Sequence, residues 1–469
     1  MNQKTESSEN YRDQLATVDK EGKRVWIYPR KPSGPFYRAR NIVSLILLII
    51  LFSGPFIKIN GQPLLLLDIL NRKFIIFGMG FWPQDFYLFV LATIALVIFI
   101  VLFTVVYGRL FCGWVCPQTI FMEMVFRKIE YWIEGDARKQ RSLNAAPMDG
   151  RKFFKKASKH GIFYGISFLI GNTFLAYIIG IDQLKTIVTD PPSQHLAGLT
   201  AMILFSGVFY FIFAFFREQV CTLVCPYGRL QGVLLDPDSI IVAYDFKRGE
   251  PRGKLSARKE KRTLGDCIDC FQCVEVCPTG IDIRNGTQLE CVNCTACIDA
   301  CNHIMDKVKK PRGLIRYASF NGINLGQKLK LTPRIAGYTA VLIALVTVLV
   351  VLMLNRKSVE ITVMRTPGAL YQELDDGRLA NLYNLKVLNK TLQEKPIHLA
   401  LQSPQGSIEL VGETLMIPPG DIAETAFFIK LPRSELKTIS TMVVIDVYSG
   451  DELLDQKKTS FIGPNPYMK

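Results

Sequence analysis

The sequence predicts a multi-domain membrane protein, with an α-helical transmembrane bundle followed by a C-terminal domain of β-strands. Three observations indicate this. The chain contains several apolar runs of membrane-spanning length, all its cysteines lie in one segment, and strand patterns fill its last quarter. Of the 469 residues, 49% are hydrophobic, and the formal charge is +15. This combination is typical of a membrane protein with several parts and not of a single soluble domain.

Five apolar runs each approach the length of about 20 residues that a helix needs to cross the hydrocarbon core. They cover residues 41–57, 86–107, 162–180, 196–216 and 335–354. A sixth apolar segment, Gly61 to Phe81, contains Asp68, Arg72 and Lys73. Because these charges interrupt it, we expect this segment to be interfacial or re-entrant. The sequence therefore predicts about five transmembrane helices.

The distribution of Lys and Arg predicts the orientation of the helices. Nine precede the first run, ten lie within 127–160 and nineteen within 217–334, whereas 181–195 contains only Lys185. Basic residues accumulate on the cytoplasmic side of a membrane. The predicted domains are a cytoplasmic N-terminal segment (1–40), a four-span membrane region (41–230), a cytoplasmic module (231–334), a fifth transmembrane helix (335–356) and a far-side domain (357–469). The basic residues lack interleaved aromatic residues, so we expect no nucleic-acid partner.

The far-side domain consists of short strand patterns separated by turn signals. In "LYNLKV", Tyr383, Leu385 and Val387 alternate with Asn384 and Lys386. About seven such strands within roughly 110 residues are typical of an immunoglobulin-like β-sandwich. The segment contains no cysteine, so the domain must be stable without a disulfide.

Eight of the twelve cysteines form two runs with the same spacing. The run "CIDCFQCVEVC" contains Cys267, Cys270, Cys273 and Cys277, and "CVNCTACIDAC" contains Cys291, Cys294, Cys297 and Cys301. This spacing is typical of a ferredoxin-like module with two [4Fe-4S] clusters, in which the fourth cysteine of each run binds the other cluster. Zinc is the alternative, although a tetrahedral zinc site has no use for the third cysteine. The predicted ligand sets are Cys267, Cys270, Cys273 and Cys301 for cluster 1, and Cys291, Cys294, Cys297 and Cys277 for cluster 2.

The other four cysteines form a duplicated CxxxCP motif. "CGWVCP" contains Cys112 and Cys116, and "CTLVCP" contains Cys221 and Cys225. Each motif follows a pair of predicted spans, so both motifs are expected on the membrane face that carries the predicted clusters. A proline suits the first position of a helix, which places Cys116 and Cys225 at helix caps.

Thiols at a helix start are expected to have a lowered pKa, and Arg109, Arg127, Arg217 and Arg229 lie near these motifs in the sequence. Paired thiolates without histidine or carboxylate ligands favour monovalent copper over hard cations. The motifs therefore predict a copper site, while the alternative is that the four cysteines are buried small residues or form a structural site.

The order of these elements resembles a known family, the cytochrome c oxidase accessory proteins of the FixG or RdxA type, which are polyferredoxins encoded beside bacterial cbb3 oxidases. The stretches "GQPLLLLDI" and "FWPQDFYLF" are also similar to that family. The resemblance implies a multi-pass protein of the bacterial cytoplasmic membrane, with a periplasmic C-terminal domain. It also implies a cupric reductase that converts Cu(II) to Cu(I) for assembly of the oxidase.

The resemblance assigns the eight ferredoxin cysteines to the clusters, and Cys112, Cys116, Cys221 and Cys225 to copper or to electron transfer. The partners it implies are membrane lipid, a copper transporter or chaperone, cbb3 oxidase assembly factors and an unidentified cytoplasmic electron donor, with a homodimer left open. Two other functions remain open at this point. One is a membrane electron conduit from quinol or a cytoplasmic donor to another acceptor, and the other is a non-redox assembly scaffold or redox sensor.

Overall fold

The computed structural model describes residues 16–19, 21–59, 61–69, 73–82, 85–254, 264–326, 332–357, 359–368, 370–391, 394–412, 415–436 and 438–464. The first fifteen residues of the predicted N-terminal segment lie outside this set. The chain divides into two compact units. Unit 1 comprises residues 1–53, 90–176 and 182–347, and unit 2 comprises residues 54–89, 177–181 and 348–469.

The α-helices are numbered here in chain order. They are α1 (Pro35–Ser53), α2 (Phe86–Tyr107), α3 (Leu110–Trp114), α4 (Pro117–Thr119), α5 (Arg127–Ile133), α6 (Ala137–Ala145), α7 (Gly150–Ile179), α8 (Ile181–Thr189), α9 (Leu196–Phe211), α10 (Pro226–Leu234), α11 (Phe246–Gly249), α12 (Gln272–Glu275), α13 (Ala296–Lys307), α14 (Phe320–Asn324) and α15 (Pro333–Leu354). Three π-helical segments, Ile120–Phe126, Ile212–Phe216 and Val220–Val224, lie beside the CxxxCP motifs.

Among the described residues, five helices are long and apolar enough to cross a membrane. They are Pro35–Phe56, Phe86–Tyr107, Gly150–Ile179, Leu196–Phe216 and Pro333–Leu354. Each matches one of the predicted apolar runs, and the first and third end one residue before the run does. Helix α7 begins twelve residues before its predicted run because its first turns are polar, and two of its lysines there, Lys156 and Lys159, pair with the buried carboxylate of Glu134.

The core of the helical part of unit 1 is aromatic. Phe126 is fully buried, stacks on Phe213 with ring centroids 4.7 Å apart, and meets Phe163 edge-on at 4.8 Å. Phe126 and Phe213 both belong to π-helical segments. π-Helical segments are frequently found at functional sites. Here Ile120–Phe126 follows the first CxxxCP motif and Ile212–Phe216 precedes the second.

The cysteine-rich module of unit 1 is small and contains little regular structure. Strands β6 (Ile241–Tyr244) and β7 (Ile315–Ala318) pair antiparallel. Helix α12 lies within the first cysteine run, and helix α13 begins within the second. The core contains the cysteines themselves together with Ile298, Met305 and Leu314. The stability of the module therefore depends on the groups that its thiols bind as well as on apolar packing.

Unit 2 contains the predicted β-sandwich, which the structure confirms as two antiparallel sheets. One sheet has the order β12 (Ser407–Leu410), β14 (Ile422–Leu431), β10 (Leu379–Asn389), β8 (Val359–Arg365), with β9 (Gln372–Glu373) on β10; the other has the order β13 (Leu415–Ile417), β11 (Lys395–Ser403), β15 (Ser440–Ser449), β16 (Glu452–Ile462). Tyr383, Leu385 and Val387, the alternating residues of "LYNLKV", are fully buried in its core. The alternation of apolar and polar residues in this strand therefore predicted correctly which side chains point into the core of the sandwich.

The prediction of a re-entrant segment between Gly61 and Phe81 is wrong. Strands β1 (Lys58–Ile59) and β2 (Gln62–Pro63) form one small sheet, and β3 (Leu65–Asp68), β4 (Lys73–Ile76) and β5 (Met79–Phe81) form an antiparallel sheet of three strands. Leu66 and Ile75 are buried whereas Leu67 is exposed, so the apolar residues alternate. An interfacial position for these sheets stays a prediction.

A buried ion-pair cluster links the end of this segment to the sandwich within unit 2. The Asp85 side chain, which is 2% exposed, accepts from Arg356 at 2.5 Å and from Lys390 at 2.7 Å. Lys390 also pairs with Glu360 at 2.8 Å. Because one carboxylate is shared by two cations, loss of Asp85 would leave both without their central partner.

Candidate functional site

Two cavities in unit 1 are lined by cysteine side chains. Cavity A is lined by Cys267, Cys270, Cys273 and Cys301. Cavity B is lined by Cys277, Cys291, Cys294 and Cys297, with Cys273 bordering both cavities. The structure thus brings together the members of each predicted crossed set, because the last cysteine of each run lies with the first three cysteines of the other. The bonds to iron stay a prediction.

The backbone of the two cysteine runs explains how the short loops surround the cavities. Asp269 and Phe271 flank Cys270 with φ of 55° and 58°, and Asn293 and Thr295 flank Cys294 with φ of 53° and 65°. Left-handed conformations are uncommon for residues other than glycine. Alternation of left- and right-handed residues turns successive N–H groups into one concavity, a geometry that binds anionic groups such as iron–sulfur clusters.

Burial keeps most of these thiols protonated until they bind a metal. It raises the pKa of Cys301 and of Cys291 to about 12, and that of Cys294 to about 11. It also raises the pKa of Cys273, Cys277 and Cys297. Metal binding must therefore displace protons from these thiols.

The donor sets suit a cluster better than a single ion. Among the described residues, no three His, Cys, Asp or Glu side chains are grouped closely enough to hold one metal ion. Thiols that bind a cubane stand farther apart than thiols that share one zinc ion. Sulfur donors, a concave backbone and enclosed walls therefore fit two [4Fe-4S] clusters, and the zinc alternative loses support.

Among the four CxxxCP cysteines, which are all described, no three are grouped closely enough to hold one metal ion. Cys112 lies within α3 and Cys221 lies within the π-helical segment Val220–Val224. Cys116 is the N-cap of α4 and Cys225 is the N-cap of α10, each followed by proline, as the sequence predicts. Burial, and next the charges of Cys116, Cys112 and Cys225, raise the pKa of Cys221 to about 12. Burial likewise raises the pKa of Cys112 to about 11. Cys112 and Cys221, the first cysteine of each motif, therefore need a bound cation to become thiolates.

The arginines that we expected to lower the pKa of the cap thiols make other contacts. Arg127 pairs with Glu123 at 2.9 Å, and Arg217 forms a two-pronged pair with Glu130 at 3.0 and 3.1 Å. Arg229 is exposed. The structure therefore gives no support to Arg127, Arg217 and Arg229 as activators of the thiols. Burial raises the pKa of Cys112 by more than the charge of Arg109 lowers it.

The first CxxxCP motif lies directly against cavity B. Cys112 packs on the apolar cluster that contains Val292 and Cys294. A Cβ added to Gly113 would lie 2.5 Å from the carbonyl oxygen of Val292, so only glycine allows this approach. Thiols of the motif and thiols of the predicted cluster 2 thus share one packed region.

Sequence reasoning missed two buried polar residues that hold this arrangement. Arg40, in helix α1, donates from Nε to the carbonyl of Gly113 and from Nη1 to the carbonyl of Cys294, both at 3.0 Å. Gln231 is fully buried and donates from Nε2 to Cys112 Sγ at 3.3 Å. The only sequence signal is that Arg40 lies within the first turns of an apolar helix. In the sequence analysis it contributes only to the count of basic residues that predicts the orientation of the helices.

A second missed feature is a buried charge network beside the motifs. Its members are Glu123, Glu130, Glu134, Glu218, Arg127, Arg217, Lys156 and Lys159. Glu123 and Glu218 also line a small cavity together with Cys221 and Thr279. The network joins the π-helical segment Ile120–Phe126 to Arg217 and Glu218, which lie between the other two π-helical segments. Removal of one partner from such a buried pair typically costs about 3 to 5 kcal/mol.

Three family models match the chain. A "4Fe-4S binding domain" matches residues 89–139, a "4Fe-4S dicluster domain" matches residues 216–320, and an "IG-like fold at C-terminal of FixG" matches residues 349–464. The dicluster match contains all eight ferredoxin cysteines, and the first match contains Cys112 and Cys116. These matches indicate iron–sulfur clusters and confirm the immunoglobulin-like fold.

Curated relatives resemble the chain over most of its length. Protein RdxA of Cereibacter sphaeroides is 35% identical over 82% of this chain and 83% of the relative. Nitrogen fixation protein FixG of Rhizobium meliloti is 30% identical over 88% of this chain and 87% of the relative. Protein RdxB of Cereibacter sphaeroides is 34% identical over 81% of this chain and 83% of the relative. With its five apolar helices, its dicluster domain and its immunoglobulin-like domain, the chain belongs to the FixG/RdxA family of membrane iron–sulfur electron-transfer proteins.

Proposed function

We propose that this protein reduces Cu(II) to Cu(I) at the four CxxxCP cysteines, for assembly of a cbb3-type cytochrome c oxidase. Copper is the substrate, and the [4Fe-4S] clusters are the resident cofactors, which supply one-electron chemistry when bound. The electron-transfer class follows from the family. The copper chemistry follows from the resemblance described above and from the thiols themselves, because sulfur ligands favour the monovalent ion.

The observation that carries this proposal is the order of the thiols through unit 1. Cys270 of cavity A is exposed, whereas Cys273 is buried and borders both cavities. Cys294 of cavity B then shares an apolar cluster with Cys112. The thiols therefore form a continuous series from the surface, through both predicted clusters, to the CxxxCP site.

The residues of the CxxxCP site have separate tasks in the reaction. Cys116 and Cys225 stand at helix starts, each followed by proline, and they would bind the incoming ion first. Cys112 and Cys221 would then bind the ion through sulfur and release their protons to water. A reduced cluster held by the ferredoxin cysteines would supply the one electron that converts one Cu(II) to Cu(I).

We also propose the orientation that the basic residues favour. The N-terminal segment, both CxxxCP motifs and the cysteine-rich module would face the cytoplasm, and the sandwich would face the periplasm. A copper transporter or chaperone and the oxidase assembly factors would then exchange copper with the protein near its cytoplasmic thiols.

A pair of reciprocal variants tests the function. Cys116→Ser combined with Cys225→Ser should abolish tight Cu(I) binding and keep the iron content and the cluster EPR signals. Cys270→Ser should keep Cu(I) binding and lose most cupric reductase activity. If the double variant binds and reduces copper like the parent, the four cysteines are structural and a scaffold or sensor role is favoured.

A further inference from the structure

A cleft of about 480 Å³ opens beside cavity B in unit 1. It is bordered by Arg109, by Gly232 and Leu235 at the end of helix α10, and by Leu289 and Glu290, which precede the second cysteine run. Small-molecule sites typically have volumes of about 300 to 1,000 Å³, with apolar walls and a few polar groups. This cleft belongs to that class and is distinct from the cavities that the cysteines line.

Arg109 is the polar group that indicates a ligand. Only 5% of the residue is exposed. Its guanidinium donates to the carbonyl of Leu289 and, at 2.8 Å, to the carbonyl of Gly228. Its Nε–H donates to no described atom. An unpaired buried donor costs about 1 to 3 kcal/mol, so the hydrogen bonding of this wall is incomplete in the structure.

The position of the cleft joins the end of an apolar helix to a predicted cluster. Arg109 follows helix α2, one of the helices long and apolar enough to cross a membrane, by two residues. Glu290 directly precedes Cys291, and Ile241 in the cleft wall directly precedes Val242 of cavity B. A ligand in the cleft would therefore contact residues that are adjacent in sequence to residues lining cavity B.

The charges of the cleft exclude several classes of ligand. Its described walls carry the guanidinium of Arg109 and the carboxylates of Asp236 and Glu290, so they have no excess of positive charge. A dinucleotide or a phosphate headgroup would need clustered cations or a glycine-rich loop. The walls suit a neutral ring with oxygen atoms that accept and donate hydrogen bonds.

We propose that this cleft binds the headgroup of a membrane quinol, and that the quinol is the electron donor of the protein. The donor role rests on the proposed reductase function, whereas the binding does not. Oxidation of one quinol to the quinone releases two electrons and two protons. The two electrons correspond to one for each of the two clusters and hence to two Cu(II), and the protons leave through the open side of the cleft to water.

Photolabelling tests the binding directly and without copper. The probe is an azido-ubiquinone with a decyl tail, applied to the purified full-length protein with its clusters in place, and the labelled peptides are identified by mass spectrometry. We expect label within residues 232–241 and 285–292, and we expect decylubiquinone to compete for it.

Two variants of helix α10 provide a matched pair. A side chain at Gly232 would enter the cleft, where a Cβ already lies 3.0 Å from Leu289 Cδ1, whereas Val233 is 81% exposed on the same helix. Gly232→Phe should reduce the competed label about tenfold, and Val233→Phe should leave it unchanged. Iron content and cluster EPR signals of both variants report whether the fold is intact.

Absence of competed label in the two peptides, or equal label in the parent and in an iron-replete Gly232→Phe variant, would overturn the proposal. Addition of decylubiquinol without oxygen should also reduce the clusters of the parent in a single turnover and fail to do so in Gly232→Phe. If label and cluster reduction occur but Cu(II) is not reduced, the quinol site stands and the copper function fails.

Discussion

Arg40 and Cys294 are joined by a buried hydrogen bond, in which Arg40 Nη1 donates to the Cys294 carbonyl at 3.0 Å. The same guanidinium donates from Nε to the carbonyl of Gly113. One side chain from helix α1 thus holds the first CxxxCP motif and the second cysteine run at a fixed separation. The distance between the predicted cluster 2 and the CxxxCP thiols depends on this contact.

Arg40→Met is expected to disturb cluster 2 and to leave cluster 1 intact. The substitution keeps much of the side-chain volume and removes two buried donors. The Cys294 carbonyl keeps a hydrogen bond from Thr295 Oγ1, whereas the Gly113 carbonyl loses its bond to Arg40, and an unsatisfied buried carbonyl costs about 1 to 3 kcal/mol. EPR spectra of the reduced protein, recorded with iron analysis, measure the two clusters separately. Arg38→Met is the control, because Arg38 is exposed on the same helix. Identical spectra for both variants would show that Arg40 has no positioning role.

The iron content tests the crossed ligand sets. Protein isolated without oxygen should contain about eight iron atoms per chain, as expected for two cubanes. Cys277→Ala should disturb cluster 2, since Cys277 lies in cavity B, and Cys270→Ala should disturb cluster 1. A loss confined to cluster 1 in Cys277→Ala would refute the crossed scheme. About twelve iron atoms per chain would instead place iron at the CxxxCP cysteines, where a 4Fe-4S family model also matches.

The parts of the site that could be predicted are those with a periodic or repeated pattern. Spacing alone grouped Cys277 with the second run and Cys301 with the first, and proline placed Cys116 and Cys225 at helix caps. The apolar runs located the long helices, although not the polar first turns of α7, because those depend on Glu134 from a distant part of the chain.

The parts that could not be predicted depend on contacts between distant segments. Nothing local distinguishes Arg40, which binds carbonyls 73 and 254 residues away, from the exposed Arg38. The same holds for Arg217 and Glu130, which are 87 residues apart. The sheets between Lys58 and Phe81 were missed because a charged turn within an apolar stretch resembles an interrupted helix as much as a hairpin.

Topology is tested by reporter fusions. Fusions after residues 145 and 254 should report the cytoplasm, and fusions after residues 188 and 420 should report the periplasm, because basic residues surround the first two sites and are scarce around 188. Cysteine labelling at the same positions in whole cells provides an independent measurement. A cytoplasmic signal from position 420 would mean that the number of crossings is even and that the proposed orientation is wrong.

Asp85→Asn is expected to destabilise unit 2 by about 3 to 5 kcal/mol, as loss of one partner from a buried ion pair does. Burial alone would raise the pKa of Asp85, but hydrogen bonds from Arg356 and Lys390 outweigh it and hold the pKa below its usual value. The stabilisation is therefore fully present above about pH 4, the unfolded value. It is lost as the pH falls through the lower folded value.

Thermal unfolding of the full chain near neutral and at acidic pH measures this effect. The parent and Asp85→Asn should differ near pH 7 and converge in strong acid. Asp376→Asn is the control, since Asp376 forms an exposed pair with Arg378 and should change the unfolding temperature little. Equal unfolding temperatures of the parent and Asp85→Asn near pH 7 would contradict the role given to this cluster.

The central claim is that electrons pass from the clusters to copper at the CxxxCP thiols. An anaerobic titration of the fully reduced protein with Cu(II), followed by EPR with a Cu(I)-specific chelator added afterwards, measures it most directly. Both cluster signals should disappear as two Cu(II) per chain are added, with two Cu(I) recovered, and the Cys116→Ser, Cys225→Ser double variant should keep its cluster signals. Reduced clusters that persist in the parent after excess Cu(II), or that are oxidised equally fast in the double variant, would contradict the account.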